Sequence, residues 1–252
     1  MNQFELNKQI EEFIRKKDKS GEAYGFDDIA FITQYEGSGG QGSKGATGEG
    51  VLYEYFTPDY ICELMWKLAF RYGFKSQGNV LEPSIGTGNL LKWAPDKSKC
   101  YGFEINPISK RITEIRFPES KIYEGYFETA FLQEPRFTAR LKDKLTWLEG
   151  YPYSLVIGNP PYGKYKNKYS SYFTKPKMHQ IELFFMYQGI QLLKPGGLMV
   201  YITGSNFLRN GISYQGEKLE LEKIADIMDA YRLPAVFKFS KVPTDIIVFK
   251  RK

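Results

Sequence analysis

From residue 51 to the C-terminus, short apolar runs alternate with longer stretches patterned for helix, and that rhythm limits the possible folds more than any single residue does. Strands are expected at 79–82, 99–104, 121–123, 154–158, 198–203, 234–237 and 245–249. Helical stretches rather than tight turns separate most of them, so the strands must run largely parallel in a twisted α/β sheet with helices on both faces. The plainest helix lies ahead of the fifth strand, where Ile181, Phe184, Phe185 and Leu192 recur at helical spacing and Lys194, Pro195, Gly196 and Gly197 end it.

Ahead of the sheet, residues 3–16 carry Phe4, Leu6, Ile10, Phe13 and Ile14 among charged neighbours and read as a short amphipathic helix, with a second apolar segment at 29–32. Residues 37–50 (GSGGQGSKGATGEG) contain nothing apolar larger than Ala and are expected to form a mobile loop or hinge. The expected organisation is an N-terminal helical extension over 1–50 and one α/β domain over 51–252.

The charge balance, 35 Lys and Arg against 29 Asp and Glu, leaves a net +6 that permits a polyanionic partner without requiring one. The two cysteines, Cys62 and Cys100, lie far apart with no CxxC pair, which speaks against a zinc site or a disulfide scaffold. The first ten residues lack an apolar signal core and no run of 18 apolar residues occurs, so a cytoplasmic protein without membrane contact is expected.

The segment Val80, Leu81, Glu82, Pro83, Ser84, Ile85, Gly86, Thr87, Gly88, Asn89 is an apolar strand leading into a glycine turn and then, by its pattern, a helix. In an open α/β sheet a ligand sits beyond the carboxyl end of such a strand, and glycine lets the backbone approach it. A dinucleotide fingerprint would need a third glycine at residue 91, which is Leu. The next strand ends in Glu104, placed to accept both ribose hydroxyls of an adenosine-bearing cofactor or, more plainly, to sit at a helix N-terminus.

The sharpest signal is Gly158, Asn159, Pro160, Pro161, Tyr162, directly after the apolar strand at 154–157. Two prolines fix φ and remove two donors, so the turn is rigid and its carbonyl oxygens stay available as acceptors. An amide or aromatic amine is a poor nucleophile because its lone pair is delocalised. Hydrogen bonds to the Asn159 side-chain oxygen and the Pro160 carbonyl would favour a pyramidal nitrogen aimed at a sulfonium methyl, with Tyr162 stacked on the planar substrate. No metal is needed, and the sole histidine, His179, reads as a surface residue. Upstream, Thr57 reads as an N-cap with Pro58 in the first helical position and Asp59 behind it.

The order Phe56, Thr57, Pro58, then the glycine turn, then Glu104, then Asn159 to Tyr162 resembles the N6-adenine DNA methyltransferases in which the cofactor motifs precede the catalytic NPPY motif. The resemblance covers roughly residues 51–250. It implies a Rossmann-like, seven-stranded class I methyltransferase sheet ending in a reversed β-hairpin, with S-adenosylmethionine as cofactor. It also implies that Phe56, Thr57 and Pro58 close over the cofactor and that Pro83, Gly86 and Gly88 shape its turn. Glu82 is expected near the methionine amino group, Glu104 on the ribose, and Phe127 and Asn159 in contact with the cofactor. One position departs: where such enzymes carry Asp before the Phe, this chain has Tyr126, leaving Glu128 as the nearby acid.

DNA is the expected partner. Residues 163–178 hold Lys164, Lys166, Lys168, Lys175 and Lys177 interleaved with Tyr165, Tyr169, Tyr172 and Phe173 and no acid, a pattern that suits phosphates and an extruded base or else a solvated loop. Phe237 or Phe239 of the terminal hairpin is placed to pack on a flipped base or to serve as strand core. The chain ends at Lys252 just after its last strand, so target reading is expected from a specificity subunit or further domains of a larger restriction-modification or mobile-element protein. Methylation of a protein glutamine or of adenine in RNA, and a non-catalytic nucleic-acid-binding module, are the alternatives.

Overall fold

The computed structural model describes residues 2–37, 55–132, 148–209, 214–237 and 243–252. The Gly-rich segment beyond Gly37, and Phe239, therefore lie outside the described residues.

Seven strands form one sheet: β1 (Val80–Glu82), β2 (Cys100–Glu104), β3 (Lys121–Glu124), β4 (Tyr153–Gly158), β5 (Leu193–Gly204), β6 (Ala225–Leu233) and β7 (Thr244–Arg251). Their spatial order is β3-β2-β1-β4-β5-β7-β6. The first five run parallel, and β7 enters antiparallel to both β5 and β6. The central strands β1, β4 and β5 are buried along most of their length because both faces are covered, one by α3 (Asp59–Arg71) and the other by α5 (Ile181–Leu192).

Three expectations are corrected. The sixth strand is 225–233, not 234–237: its residues include Asp226, Asp229 and Arg232, so an outer-edge strand with half-solvated side chains carries no apolar run to find, and Pro234 lacks the N–H a ladder needs. No α-helix follows the glycine turn. Two short 3-10 turns, Leu91–Trp93 and Lys97–Lys99, fill the space before β2, since Pro95 and the few residues available leave no room for more. Finally, α3 starts one residue later than expected, with Pro58 rather than Thr57 at the N-cap, because Thr57 is buried and its carbonyl is taken by Asn89 Nδ2 at 3.2 Å.

The N-terminal residues form α1 (Gln3–Ser20) and α2 (Phe26–Ile32), a helical hairpin. Asn2 caps α1, its side chain accepting from Glu5 N while Glu5 reaches back. The hairpin buries Ile10, Ile14 and Ile32 with Ile112 of α4 (Pro107–Arg116), and Arg111 pairs with Asp18 through two hydrogen bonds of 2.9 and 2.6 Å. No helix among the described residues is long and apolar enough to cross a membrane.

Candidate active site

Strand β1 lies between β2 and β4, so the chain reverses its direction of travel across the sheet at that point, and the carboxyl ends of β1 and β4 open into a shared crevice. A cavity of about 470 Å³ occupies it. Pro83, Gly86, Glu104, Phe127 and the whole Asn159 to Tyr162 corner line this cavity, together with Phe56.

The glycine turn is held from several sides. Gly86 has φ of +56°, a conformation that favours glycine, and a Cβ there would stand 3.1 Å from the Phe56 ring. Its N–H donates to Glu104 Oε2 at 2.7 Å, and Glu104 Oε1 accepts the Asn106 N–H at 2.7 Å. The carboxylate is thereby fixed in the cavity wall. From below, Thr113 Oγ1 donates to the Gly86 carbonyl at 2.8 Å and Arg116 Nη1 donates to the Thr87 carbonyl. Gly88 faces Thr113 and Phe117, and Thr57 and Pro58 join helix α3 beside a smaller pocket; none of these three lines the large cavity.

The proline corner is clamped at both ends of the Asn159 amide. Asn159 Nδ2 donates to the Tyr55 carbonyl at 2.8 Å, and the Tyr162 hydroxyl donates to Asn159 Oδ1 at 2.7 Å. Burial holds the Tyr162 hydroxyl far above its ordinary pKa, so it remains a donor and the amide orientation is determined. Ser84 Oγ donates to the Asn159 backbone carbonyl at 3.1 Å, joining the glycine turn to the corner. A Cβ at Gly158 would come within 3.1 Å of the Tyr201 ring, so glycine is what lets β5 approach there. The Gly163 carbonyl accepts the Ile181 N–H at 2.8 Å, which ties the far side of the corner to α5.

The remaining expected residues lie apart. Lys164, Lys166 and Lys168 are exposed, the first two at the cavity rim and the third with its ammonium 4.9 Å from the Tyr126 ring centroid. The loop's aromatic residues are neither solvated nor offered to a ligand as a set: Phe173 is buried against Phe131 and Phe184, and Tyr165 stacks on Phe184 at 4.1 Å. Phe237 is buried beside Tyr55, with ring centroids 6.0 Å apart. His179 is exposed ahead of α5, its Nδ1 2.7 Å from Glu217. Sequence reading gave no role to Tyr55, Ser84, Thr113 or Arg116; Tyr55 and Ser84 lie within segments it singled out, while Thr113 and Arg116 left only a spacing of three that puts both on one face of α4.

Residues 98–237 match the model of the Eco57I restriction-modification methylases. The chain belongs to that family. A curated relative, the "Defense against restriction protein B" of Escherichia phage P1, is 29% identical over 205 residues, covering 81% of this chain and 8% of its own length. Among solved structures, a chain assigned as the modification subunit of a type I restriction enzyme from Vibrio vulnificus YJ016 superposes with a TM-score of 0.64 at 18% identity, over 82% of this chain and 45% of that one. One from Listeria monocytogenes, assigned to the class I S-adenosylmethionine-dependent methyltransferases, gives a TM-score of 0.58 at 17% identity, over 78% and 60%. This Eco57I-family chain thus spans less than two thirds of each of these relatives.

The class I fold and the methylase family make S-adenosylmethionine the cofactor. The residues present fit it. Glu82 Oε2 is buried with no hydrogen-bond partner, and Glu82 borders a small pocket of about 30 Å³ next to the main cavity. Burial, and secondarily the charge of Glu104, hold the Glu82 carboxyl well above its ordinary pKa. An orphaned acid beside a space of that size suits a primary ammonium such as the one on a methionine group, while Glu104 suits a ribose. The glycine turn, with no helix behind it, has no helix N-terminus to offer a pyrophosphate, which agrees with a cofactor that carries none.

Proposed function

We propose that this chain transfers a methyl group from S-adenosylmethionine to the 6-amino group of adenine in DNA. The observation that carries the reading is the clamped Asn159 amide, whose acceptor oxygen belongs to the same cavity wall as Glu104 and Gly86.

The cofactor, when bound, supplies an electrophilic methyl carbon on a positively charged sulfur. What the chain contributes is aim. With Nδ2 committed to the Tyr55 carbonyl, Asn159 presents oxygen and not nitrogen to an incoming amine, and one lone pair of Oδ1 remains beyond the bond from Tyr162. That oxygen and the Pro160 carbonyl would each accept one N–H of the base, leaving the nitrogen lone pair directed at the methyl carbon. The methylated nitrogen is acidic and its proton passes to water, so no stronger base is required.

DNA as carrier of the adenine is supported by the exposed Lys164, Lys166 and Lys168 at and near the rim, which suit phosphates. The name of the phage relative, a protein of defence against restriction, fits methylation that protects DNA from cleavage. Target reading by a specificity subunit or by further domains accords with a chain that matches less than half of a type I modification subunit. The 1–50 and 51–252 division into an extension and a catalytic domain belongs to the same reading.

The test is methyl transfer to DNA in cells expressing the protein, followed by digestion and nucleoside analysis. N6-methyladenine is expected, and Asn159→Ala should lower it by on the order of a hundredfold or more with cofactor affinity nearly unchanged. Methylated cytosine in its place, or full activity in the variant, overturns the reading.

A further inference from the structure

An exocyclic amine offers two N–H groups, so a corner that aims it needs two acceptors and no competitor beside them. The first is Asn159 Oδ1, set by Tyr55 and Tyr162. The second, on the proposed function, is the Pro160 carbonyl, whose direction has to come from the backbone that leads into it.

The prolines supply most of that direction. Pro160 has its φ locked by its own ring, and standing before Pro161 it has its ψ confined to the extended region. Asn159, itself before a proline, keeps a ψ range of about 40°, and a swing through it would carry the Pro160 oxygen by on the order of an ångström.

The bond that removes this freedom comes from the opposite wall. Ser84 Oγ donates to the Asn159 backbone carbonyl at 3.1 Å, which fixes the plane of the Asn159–Pro160 peptide. The hydroxyl is a firm reference point. Pro83 precedes it, the Ile85 N–H behind it donates to the Phe103 carbonyl of β2 at 3.0 Å, and β1 and β4 are direct neighbours, Leu81 pairing with Val156. Ser84 borders both the main cavity and the small pocket at Glu82, so it belongs to the glycine-turn wall while its one side-chain donor is given to the corner. The same bond occupies the Asn159 carbonyl, which would otherwise compete with Oδ1 and the Pro160 oxygen for the amine.

We infer that Ser84 is a positioning residue for methyl transfer, one that aims the Pro160 carbonyl at the incoming amine and keeps the Asn159 carbonyl from competing for it. The inference rests on the proposed function, in which the Pro160 carbonyl accepts one N–H of the adenine.

Single-turnover methyl transfer from labelled S-adenosylmethionine to unmethylated genomic DNA, paired with titration calorimetry of S-adenosylhomocysteine, tests it. Ser84→Ala is expected to slow transfer roughly tenfold, between the loss of one neutral hydrogen bond and the effect of an ångström's misplacement, with S-adenosylhomocysteine affinity within about twofold of the unaltered protein. Ser84→Thr keeps the hydroxyl and should recover most of the rate. A hydroxyl that served the cofactor instead would show the reverse split, with weaker S-adenosylhomocysteine binding and unchanged transfer at saturation. That split overturns the inference, as does an Ala variant as fast as the unaltered protein or a Thr variant as slow as Ala. In each of these cases the unaltered protein still forms N6-methyladenine and the proposed function stands, whereas no N6-methyladenine from the unaltered protein sinks both.

Discussion

The two walls of the cavity are held by different physics. The glycine-turn wall is fixed by side chains bonded to backbone: Glu104 to the Gly86 N–H, Thr113 to the Gly86 carbonyl, Arg116 to the Thr87 carbonyl, and Trp66 Nε1 to the Leu90 carbonyl at 2.8 Å. The loop wall at 163–178 is instead wedged in place by rings, with Tyr165 and Phe173 on Phe184, and Phe173 also on Phe131. Hydrogen bonds set position to a few tenths of an ångström and depend on particular atoms, whereas ring packing depends on volume and tolerates changes of partner. On the proposed reading a small cofactor faces the first wall and a long flexible polymer reaches the second.

The largest effect should come from the packed wall. Phe173→Ala empties a buried ring and is expected to cost about 3–5 kcal/mol of stability in denaturant unfolding; a loss below about 1 kcal/mol would mean that the loop is not part of the core, and the contrast would dissolve. Next comes the polar side. Glu82→Gln should weaken S-adenosylmethionine binding by about tenfold or more, since an ion pair with the ammonium becomes a bond from the ammonium to a neutral amide. Its pH dependence sharpens the point. The carboxyl is held above its ordinary 4.5 in the unliganded protein, so an ammonium that favours the ionised form must displace a proton, and affinity should fall as pH drops through the raised value. For the unliganded protein the sign is opposite: stability from the protonated acid is fully present below the unfolded value of 4.5 and is lost as pH climbs through the raised one, a loss that Gln removes. Titration calorimetry and unfolding across that range would show both trends. The smallest effect is near the rim: Lys168→Ala should reduce the slope of log DNA affinity against log salt by about 1, with cofactor affinity untouched.

The same contrast accounts for what was legible in the chain. The sheet was, because Leu81, Val156, Ile157 and Val200 belong to strands buried on both faces and stand out as apolar runs. The β6 edge was not, since an outer strand with Asp226, Asp229 and Arg232 obeys no such pattern. Within the site, Gly86, Glu104 and Asn159 are conspicuous because backbone approach, a placed acid and a proline corner each demand a residue type. Tyr55 contributes only a carbonyl, which any residue would have supplied, and Ser84 a hydroxyl of a kind found throughout the chain. The loop rings looked like ligand contacts because alternating Lys and Tyr is what a nucleic-acid surface needs; that Tyr165 and Phe173 turn inward follows from Phe184 on the next helix and from Phe131 on a separate segment of the chain.

The opening helical pair has a part in this that its position in the chain hides. Helix α4 turns Thr113 and Arg116 towards the glycine turn while Ile112 and Arg111 are gripped from outside by Ile10, Ile14, Ile32 and Asp18. Tyr35 meets Phe56, itself a wall of the cavity, with ring centroids 6.4 Å apart. The first helices therefore act as a backrest for the glycine turn, and on the proposed reading a disturbance at the very start of the chain would be felt where the sulfonium is received.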